Sequence, residues 1–195
     1  MPDAPLQTIR LWPVITHMGS ASLLLPTLVI AATGLWQSRQ IMALRIWLLA
    51  LALAVSLTLA TKVMFLGWGV GSAAFDFTGI SGHTLLATSV LQVLFSELLA
   101  AERCRFHSGG ASLGLLLGLA VGASRVALGA HSISEVISAW LLGLIVSGVT
   151  LDAMEGSRQR RWFARLSPLA LIFALGTTLS SYLPTHEWEI RLSLL

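Results

Sequence analysis

Six long apolar stretches, each with at most one charged residue, limit what this 195-residue chain can fold into. Hydrophobic residues make up 55% of the chain and charged residues 11%, and the mean hydropathy is +0.82. Such a composition leaves too little polar surface to cover a water-soluble globule. In lipid, only helices and closed barrels satisfy their own backbone polar groups, and a helix needs about 20 apolar residues to cross the bilayer. The sequence therefore predicts an all-α, polytopic membrane helix bundle that forms a single domain over residues 1–195.

The predicted membrane spans cover about 14–35, 41–60, 84–100, 111–129, 133–151 and 166–183. The first is interpreted as a retained span and not a cleaved signal peptide, because the apolar run is long and its leader is only weakly basic. With six spans, one side of the membrane carries Arg39, Arg45, Arg103, Arg105, Arg158, Arg160, Arg161 and Arg165, and the other carries Arg10, Lys62, Arg125 and Arg191. The positive-inside rule assigns the eight arginines to the cytoplasm and the opposite face to the periplasm, as in a bacterial inner membrane.

Other features narrow the function class. The net charge is only +3 and the arginines cluster in loops, so nothing favours nucleic-acid binding. The single cysteine, Cys104, excludes an intrachain disulfide and argues against a cysteine-based metal site. Glycines recur every four residues in the fourth predicted span, at Gly110, Gly114, Gly118 and Gly122. This stripe lets another helix approach closely, and packing inside the bundle is favoured over a homodimer.

Two connections on the non-cytoplasmic face hold most of the unusual polar residues. The longer covers about residues 61–83 and ends in Ser81-Gly82-His83, and the shorter is a corner around residues 129–132. Ser81 suits the N-cap of the third span, where the unpaired backbone N–H groups and the helix dipole favour an anion. Lys62 and Arg125 are long cations that can hold phosphate oxygens. We therefore expect the two connections to meet around a phosphate group.

A second pair of residues in this region predicts the chemistry. His131 and Glu135 are four residues apart at the start of the fifth span, so they share one helical face. A carboxylate there can hold one imidazole nitrogen and leave the other free to attack. His83 from the other connection can then donate a proton to the departing oxygen. This layout predicts phosphoryl transfer through a phosphohistidine, without a metal or another cofactor.

These residues resemble the type 2 phosphatidic acid phosphatase superfamily, membrane lipid phosphatases that share an active-site plan with vanadium haloperoxidases. The family has three motifs in order: Lys, six residues, then Arg-Pro; Pro-Ser-Gly-His; and Ser-Arg, five residues, His, three residues, Asp. The third is present from Ser124-Arg125 through His131 to Glu135, with Glu in place of Asp. The second is present as Ile80-Ser81-Gly82-His83, without its proline. Of the first, only Lys62 is present, because Gly69-Val70 occupy the Arg-Pro position.

The resemblance implies a role for each matching residue, within a motif-bearing core of about 61–150. It makes His131 the nucleophile, His83 the general acid and Glu135 the orienting carboxylate, and it assigns phosphate binding to Lys62, Ser81, Gly82 and Arg125. It also implies a metal-independent phosphatase that removes a terminal phosphate from a lipid phosphate or diphosphate. Undecaprenyl diphosphate, phosphatidic acid, phosphatidylglycerol phosphate and lipid A phosphates all present such a group.

The sequence raises three other hypotheses, which its features support to different degrees. The altered first and third motifs favour a non-catalytic protein that binds or carries a phosphorylated lipid in the same site. A metal site formed by Asp76, His83, His131 and Glu135 is chemically conceivable, but no metal-binding signature accompanies these residues. A small-solute transporter predicts inverted repeats and helices broken near mid-membrane, and the sequence shows neither.

Overall fold

The computed structural model describes residues 6–100 and 107–155. Its helices are α1 (Leu6–Met18), α2 (Ala21–Gln37), α3 (Ile41–Trp68), α4 (Gly82–Ala100), α5 (His107–Ala127) and α6 (Ile133–Glu155). A single 3₁₀ turn at Ala73–Phe75 and an isolated bridge between Ser72 and Phe77 shape the connection between α3 and α4. The predicted all-α fold class is confirmed. The sixth predicted span, 166–183, lies outside the described residues.

Within the described residues, four helices are long and apolar enough to cross a membrane, namely α3, α4, α5 and α6. Helices α1 and α2 meet the same criterion only as a pair bent by 41°. The predicted span over 14–35 therefore corresponds to a bent pair of helices that breaks between Met18 and Ala21. The chain leaves the helix at Gly19 and Ser20, and a Cβ added to Gly19 would lie only 2.5 Å from the Val121 side chain of α5. This close packing explains why the smallest residue stands at the bend.

Helix α3 is longer than predicted. It continues to Trp68 and ends at Gly69, which has φ +64° in the left-handed region that glycine adopts without steric cost. Its 28 residues extend for about 42 Å, which exceeds the roughly 30 Å of a hydrocarbon core. The expectation that residues 61–83 form one connection is therefore wrong in its first part, because Lys62 lies on α3.

The glycine stripe of α5 packs inside the bundle. Cβ atoms added to Gly110, Gly114 and Gly118 would all come within 3 Å of the backbone of α4, and one added to Gly122 would lie within 3 Å of the Trp140 ring. Small residues at such crossings let helix backbones approach each other closely. The stripe therefore fixes α5, and the arginine near its end, against α4 and α6.

Three connections come together at one end of the bundle. The α3–α4 connection contacts the start of α6, where the Ser134 hydroxyl donates to the Phe75 carbonyl at 2.7 Å. The α5–α6 connection turns through Gly129, whose φ is +65°. The bend between α1 and α2 lies here too, because a Cβ on Gly19 would be 3.5 Å from the Cβ of His83. The expected meeting of the two polar connections is thus present in the fold.

Candidate active site

The pairing of His131 with Glu135 is the central contact of the site. Nδ1 of His131 lies 2.7 Å from Oε2 of Glu135, and the same oxygen accepts a hydrogen bond from the backbone N–H of Ser132 at 3.2 Å. The carboxylate side chain is 4% exposed and the imidazole 13%. A carboxylate accepting the Nδ1 proton favours the tautomer in which Nε2 carries no proton. This is the arrangement that the four-residue spacing predicts.

The backbone of the α5–α6 turn holds His131 in place. The N–H groups of Ala130 and His131 both donate to the carbonyl of Arg125, at 3.0 and 3.3 Å. Gly129 supplies the left-handed conformation that the reversal requires. The five residues between Arg125 and His131 are therefore a compact C-terminal cap of α5, which carries the histidine back toward its own arginine.

The second oxygen of Glu135 binds the other connection. Oε1 accepts hydrogen bonds from the backbone N–H of Thr78 at 2.7 Å, from that of Gly79 at 3.1 Å, and from the Thr78 hydroxyl. The two oxygens together accept five hydrogen bonds, three from Thr78 and Gly79 and two from His131 and Ser132. One buried carboxylate thus joins the α3–α4 connection to the histidine turn. No sequence motif includes Thr78, and 57 residues separate it from Glu135.

Lys62 is positioned by the same loop. A Cβ added to Gly79 would lie 2.8 Å from Cγ of Lys62, so the glycine backbone packs directly on the lysine stem. The neighbouring Thr61 hydroxyl accepts a hydrogen bond from the N–H of Ile80 at 3.2 Å. Helix α3 therefore reaches the site through its side chains, although the family's Arg-Pro is absent from its end.

At the start of α4, two residues of the second motif, Ser81 and Gly82, have different surroundings. Ser81 occupies the N-cap position, since its carbonyl accepts the first helical hydrogen bond from Leu85 at 3.0 Å. Its hydroxyl, however, is fully buried and pairs with that of Thr84 at 3.0 Å. A Cβ on Gly82 would meet no atom within 4 Å, so open space lies in front of this glycine. Of the two predicted phosphate ligands here, Gly82 faces the opening and Ser81 faces the protein.

Arg125 lies at the end of α5 and reaches α1. Its Nη1 donates a hydrogen bond to the Thr16 hydroxyl at 3.2 Å. The contact joins residues 109 apart in the sequence and fixes the guanidinium on the side where the bend brings Gly19 against His83. Thr16 is a second residue of the site that the sequence motifs do not identify.

Four basic side chains lie close enough to interact, namely Lys62, His83, Arg125 and His131. His83 interacts electrostatically with Arg125, His131 and Lys62, and His131 with Glu135, Arg125 and Lys62. Burial lowers the pKa of His131 below its usual value, and the cations act in the same direction; the hydrogen bond and the charge of Glu135 raise it and oppose them only in part. His131 is therefore neutral at pH 7, the form in which Nε2 has a free lone pair.

The remaining candidate residues lie elsewhere. Gly69 and Val70, at the Arg-Pro position, bring no charge, and Asp76 stands exposed at the tip of the α3–α4 connection. Within residues 6–100 and 107–155, no three His, Cys, Asp or Glu side chains converge as a metal site requires. The alternative of a metal held by Asp76, His83, His131 and Glu135 therefore has no geometric support.

Comparison with known proteins identifies a family and a relative of this chain. The profile of the PAP2 superfamily matches residues 68–159, which include the second and third motifs and exclude Lys62. An "Uncharacterized 22.5 kDa protein in cps region" from Klebsiella pneumoniae is 31% identical over 142 residues, covering 72% of this chain and 68% of that protein. No solved structure matches the chain significantly.

Proposed function

The chain belongs to the PAP2 superfamily, whose members are phosphatases, and we propose that it removes the terminal phosphate from a lipid phosphate or diphosphate through a phosphohistidine. The observation that carries this proposal is the buried hydrogen bond between His131 and Glu135, placed among His83, Lys62 and Arg125. A neutral imidazole oriented by a carboxylate and surrounded by cations is suited to attack an anionic phosphoryl group.

The reaction begins with binding of the phosphate. Its negative charge is offset by Lys62 and Arg125, and its oxygens face the open N-terminus of α4 at Gly82, where backbone N–H groups are unpaired. Nε2 of His131 then forms a bond to phosphorus while the bond from phosphorus to the lipid oxygen breaks. His83, whose protonated form the negative charge of the bound phosphate stabilises, gives a proton to that oxygen, and the lipid leaves as an alcohol or a monophosphate.

Water completes the cycle. Deprotonated His83 takes a proton from a water molecule, whose oxygen bonds to phosphorus as the bond to Nε2 breaks. Inorganic phosphate leaves, and both histidines return to their starting protonation states. Glu135 stays ionised throughout, because its role is to hold Nδ1–H and stabilise the positive ring as the phosphoryl group is transferred.

Exposed leucines beside Lys62 support the proposal that the substrate is a lipid. Leu59 and Leu66 lie three residues before and four residues after it on α3, and they are 57% and 68% exposed. Residues at these spacings share one helix face, so an acyl or prenyl chain can lie along the leucines with its phosphate at the lysine. The positive-inside rule assigns this end of the bundle to the periplasmic face.

Phosphate release from a panel of substrates tests the proposal. Purified protein in liposomes would be given undecaprenyl diphosphate, phosphatidic acid, phosphatidylglycerol phosphate and lipid A, with a soluble phosphate ester for comparison. We expect turnover of at least one lipid and its loss in His131→Ala, with the exposed His17→Ala as the matched control. Wild-type protein inactive on the whole panel, or His131→Ala as active as wild type, would contradict the proposal.

Binding of a phosphorylated lipid without turnover is the second candidate. The observation that favours it is the uncharged Gly69-Val70 pair, because a missing cation removes transition-state stabilisation more than it removes ground-state binding. In the same liposomes, lipid phosphate bound by wild type but never hydrolysed would select this function.

A further inference from the structure

We propose that Thr78 is a positioning residue that holds the Glu135 carboxylate for His131, and that this contact adapts the site to glutamate in place of the family's aspartate. The inference rests on the proposed phosphatase function and adds a residue that no family motif contains. It concerns the orientation of the nucleophile, since Thr78 donates to Glu135, which in turn holds His131.

The division of hydrogen bonds between the two carboxylate oxygens supports this role. Oε2 serves His131 and Ser132, whereas Oε1 accepts from both the N–H and the hydroxyl of Thr78 and from the N–H of Gly79. Glu135 is only 3% exposed, so water does not replace these donors readily. Because three donors hold Oε1, the carboxylate cannot turn away, and Oε2 stays against the imidazole.

The loop that supplies these donors is itself fixed. Ile80 donates to the Thr61 hydroxyl of α3 at 3.2 Å, and Gly79 packs on Lys62 with no room for a side chain. The carboxylate must therefore reach a loop whose position α3 determines. Aspartate is one methylene shorter than glutamate, so from position 135 it cannot keep both the loop donors and the imidazole in place. The longer side chain of Glu135 and the donors of Thr78 therefore act together to place the carboxylate against His131.

A double-mutant cycle on lipid phosphate turnover tests this inference. Thr78→Val keeps the backbone donor and removes the hydroxyl, and we expect kcat to fall by about tenfold, the usual effect of losing a hydrogen bond to a charged group, with KM changed less than about twofold. Thr78→Ser restores the donor and should recover most of the rate. Glu135→Asp should lower kcat in wild type and lower it by a smaller factor in Thr78→Val, because the shared contact is already lost.

Ser134→Ala is the matched control. It removes the hydrogen bond from Ser134 to Phe75 on the same loop and the one between the Ser134 and Ser132 hydroxyls, but none of the hydrogen bonds that the Glu135 carboxylate accepts. We expect its kcat to stay within about twofold of wild type, since an exposed hydrogen bond contributes little. If Ser134→Ala loses as much activity as Thr78→Val, the effect belongs to the loop as a whole and the proposal is overturned.

A second readout keeps this test separate from that of the proposed function. In protein labelled with ¹⁵N-histidine, NMR reports the tautomer of His131 without any substrate. We expect Nδ1–H in wild type and Thr78→Ser, and a mixture of tautomers in Thr78→Val. If wild type hydrolyses no lipid yet shows this pattern, the proposed function fails and the positioning role stands. If Thr78→Val matches wild type in tautomer, or in kcat where wild type is active, the positioning role fails.

Discussion

The α5–α6 connection and the α3–α4 connection meet at one carboxylate, yet they keep the family motifs to different degrees. The first retains Ser-Arg and His at full spacing, whereas the second has Gly69-Val70 where Arg-Pro is typical. The altered connection still takes part in the site, because Thr78, Gly79 and Ile80 tie it to Glu135 and to α3. Loss of a motif residue has therefore removed a charge from this connection without removing its structural role.

The strongest test of this comparison removes the charge of the shared carboxylate. In Glu135→Gln we expect kcat to fall by about four orders of magnitude, as when the aspartate of a catalytic triad is neutralised. In wild type the acid limb of the pH profile lies below the usual pKa of histidine, because burial lowers the pKa of His131. Without the Glu135 charge, which raises that pKa, the limb should move to still lower pH.

The matched control for this change is Asp152→Asn, an exposed carboxylate at the far end of the same helix. Stopped assays from pH 4 to pH 8 would measure both profiles. An acid limb that moves toward higher pH in Glu135→Gln would mean that Glu135 does not act on His131 in the way we describe.

A smaller loss of activity is expected when the guanidinium of Arg125 is removed, at the α5–α6 connection that retains its motif. Arg125→Ala should lower kcat/KM by about a hundredfold, the usual scale for losing one donor to a developing anion. Arg125→Lys should recover only part of this, because an ammonium cannot hold two phosphate oxygens at once. Arg45→Ala, at the opposite end of the bundle, should leave kcat/KM unchanged. Equal rates in Arg125→Ala and Arg45→Ala would exclude a phosphate-binding role for Arg125.

Removing the contact between α1 and Arg125 should have a smaller effect than removing Arg125 itself. Thr16→Val removes the hydroxyl that accepts from Nη1, and we expect KM to rise by about threefold, consistent with the modest net value of one hydrogen bond. Thr16→Ser should restore KM, and Thr33→Val, an exposed threonine on α2, should have no effect. Steady-state kinetics on the preferred lipid would separate these variants, and an unchanged KM in Thr16→Val would show that α1 does not order the guanidinium.

The smallest effect on rate is expected at the altered motif. Gly69→Arg restores a cation but forces a left-handed conformation that costs an arginine about 1 to 2 kcal/mol, so we expect a lower melting temperature and no gain in kcat. Gly67→Ala, two residues earlier and inside α3, should raise the melting temperature slightly, because nothing lies within 4 Å of a Cβ there. A Gly69→Arg variant that is both stable and faster would mean that the missing charge limits this protein.

Local contacts were predictable from the sequence and long-range ones were not. The four-residue spacing of His131 and Glu135 correctly predicts their hydrogen bond, because both lie on one helical turn. Thr78 and Thr16 reach their partners across 57 and 109 residues, and no periodicity encodes such contacts. Ser81 fits the N-cap position by sequence, but the pairing of its hydroxyl with Thr84 depends on burial that the motif does not specify.

Helix ends were the least predictable feature. The sequence predicts a span over about 41–60, whereas α3 continues as a helix to Trp68, beyond the thickness that lipid imposes. The sequence also does not predict the bend between α1 and α2. Gly19 and Ser20 are small residues within an apolar run, and the sequence does not reveal that Gly19 packs against Val121.

The most direct test of the account is to trap the phosphoenzyme. Protein mixed with lipid carrying a ³²P-labelled terminal phosphate and quenched within milliseconds should carry label on His131, as a phosphoramidate that is stable in base and labile in acid. His83→Ala should slow both formation and loss of this label, whereas His131→Ala should carry none. Label on another residue, or turnover in wild type with no covalent label at any quench time, would contradict the account.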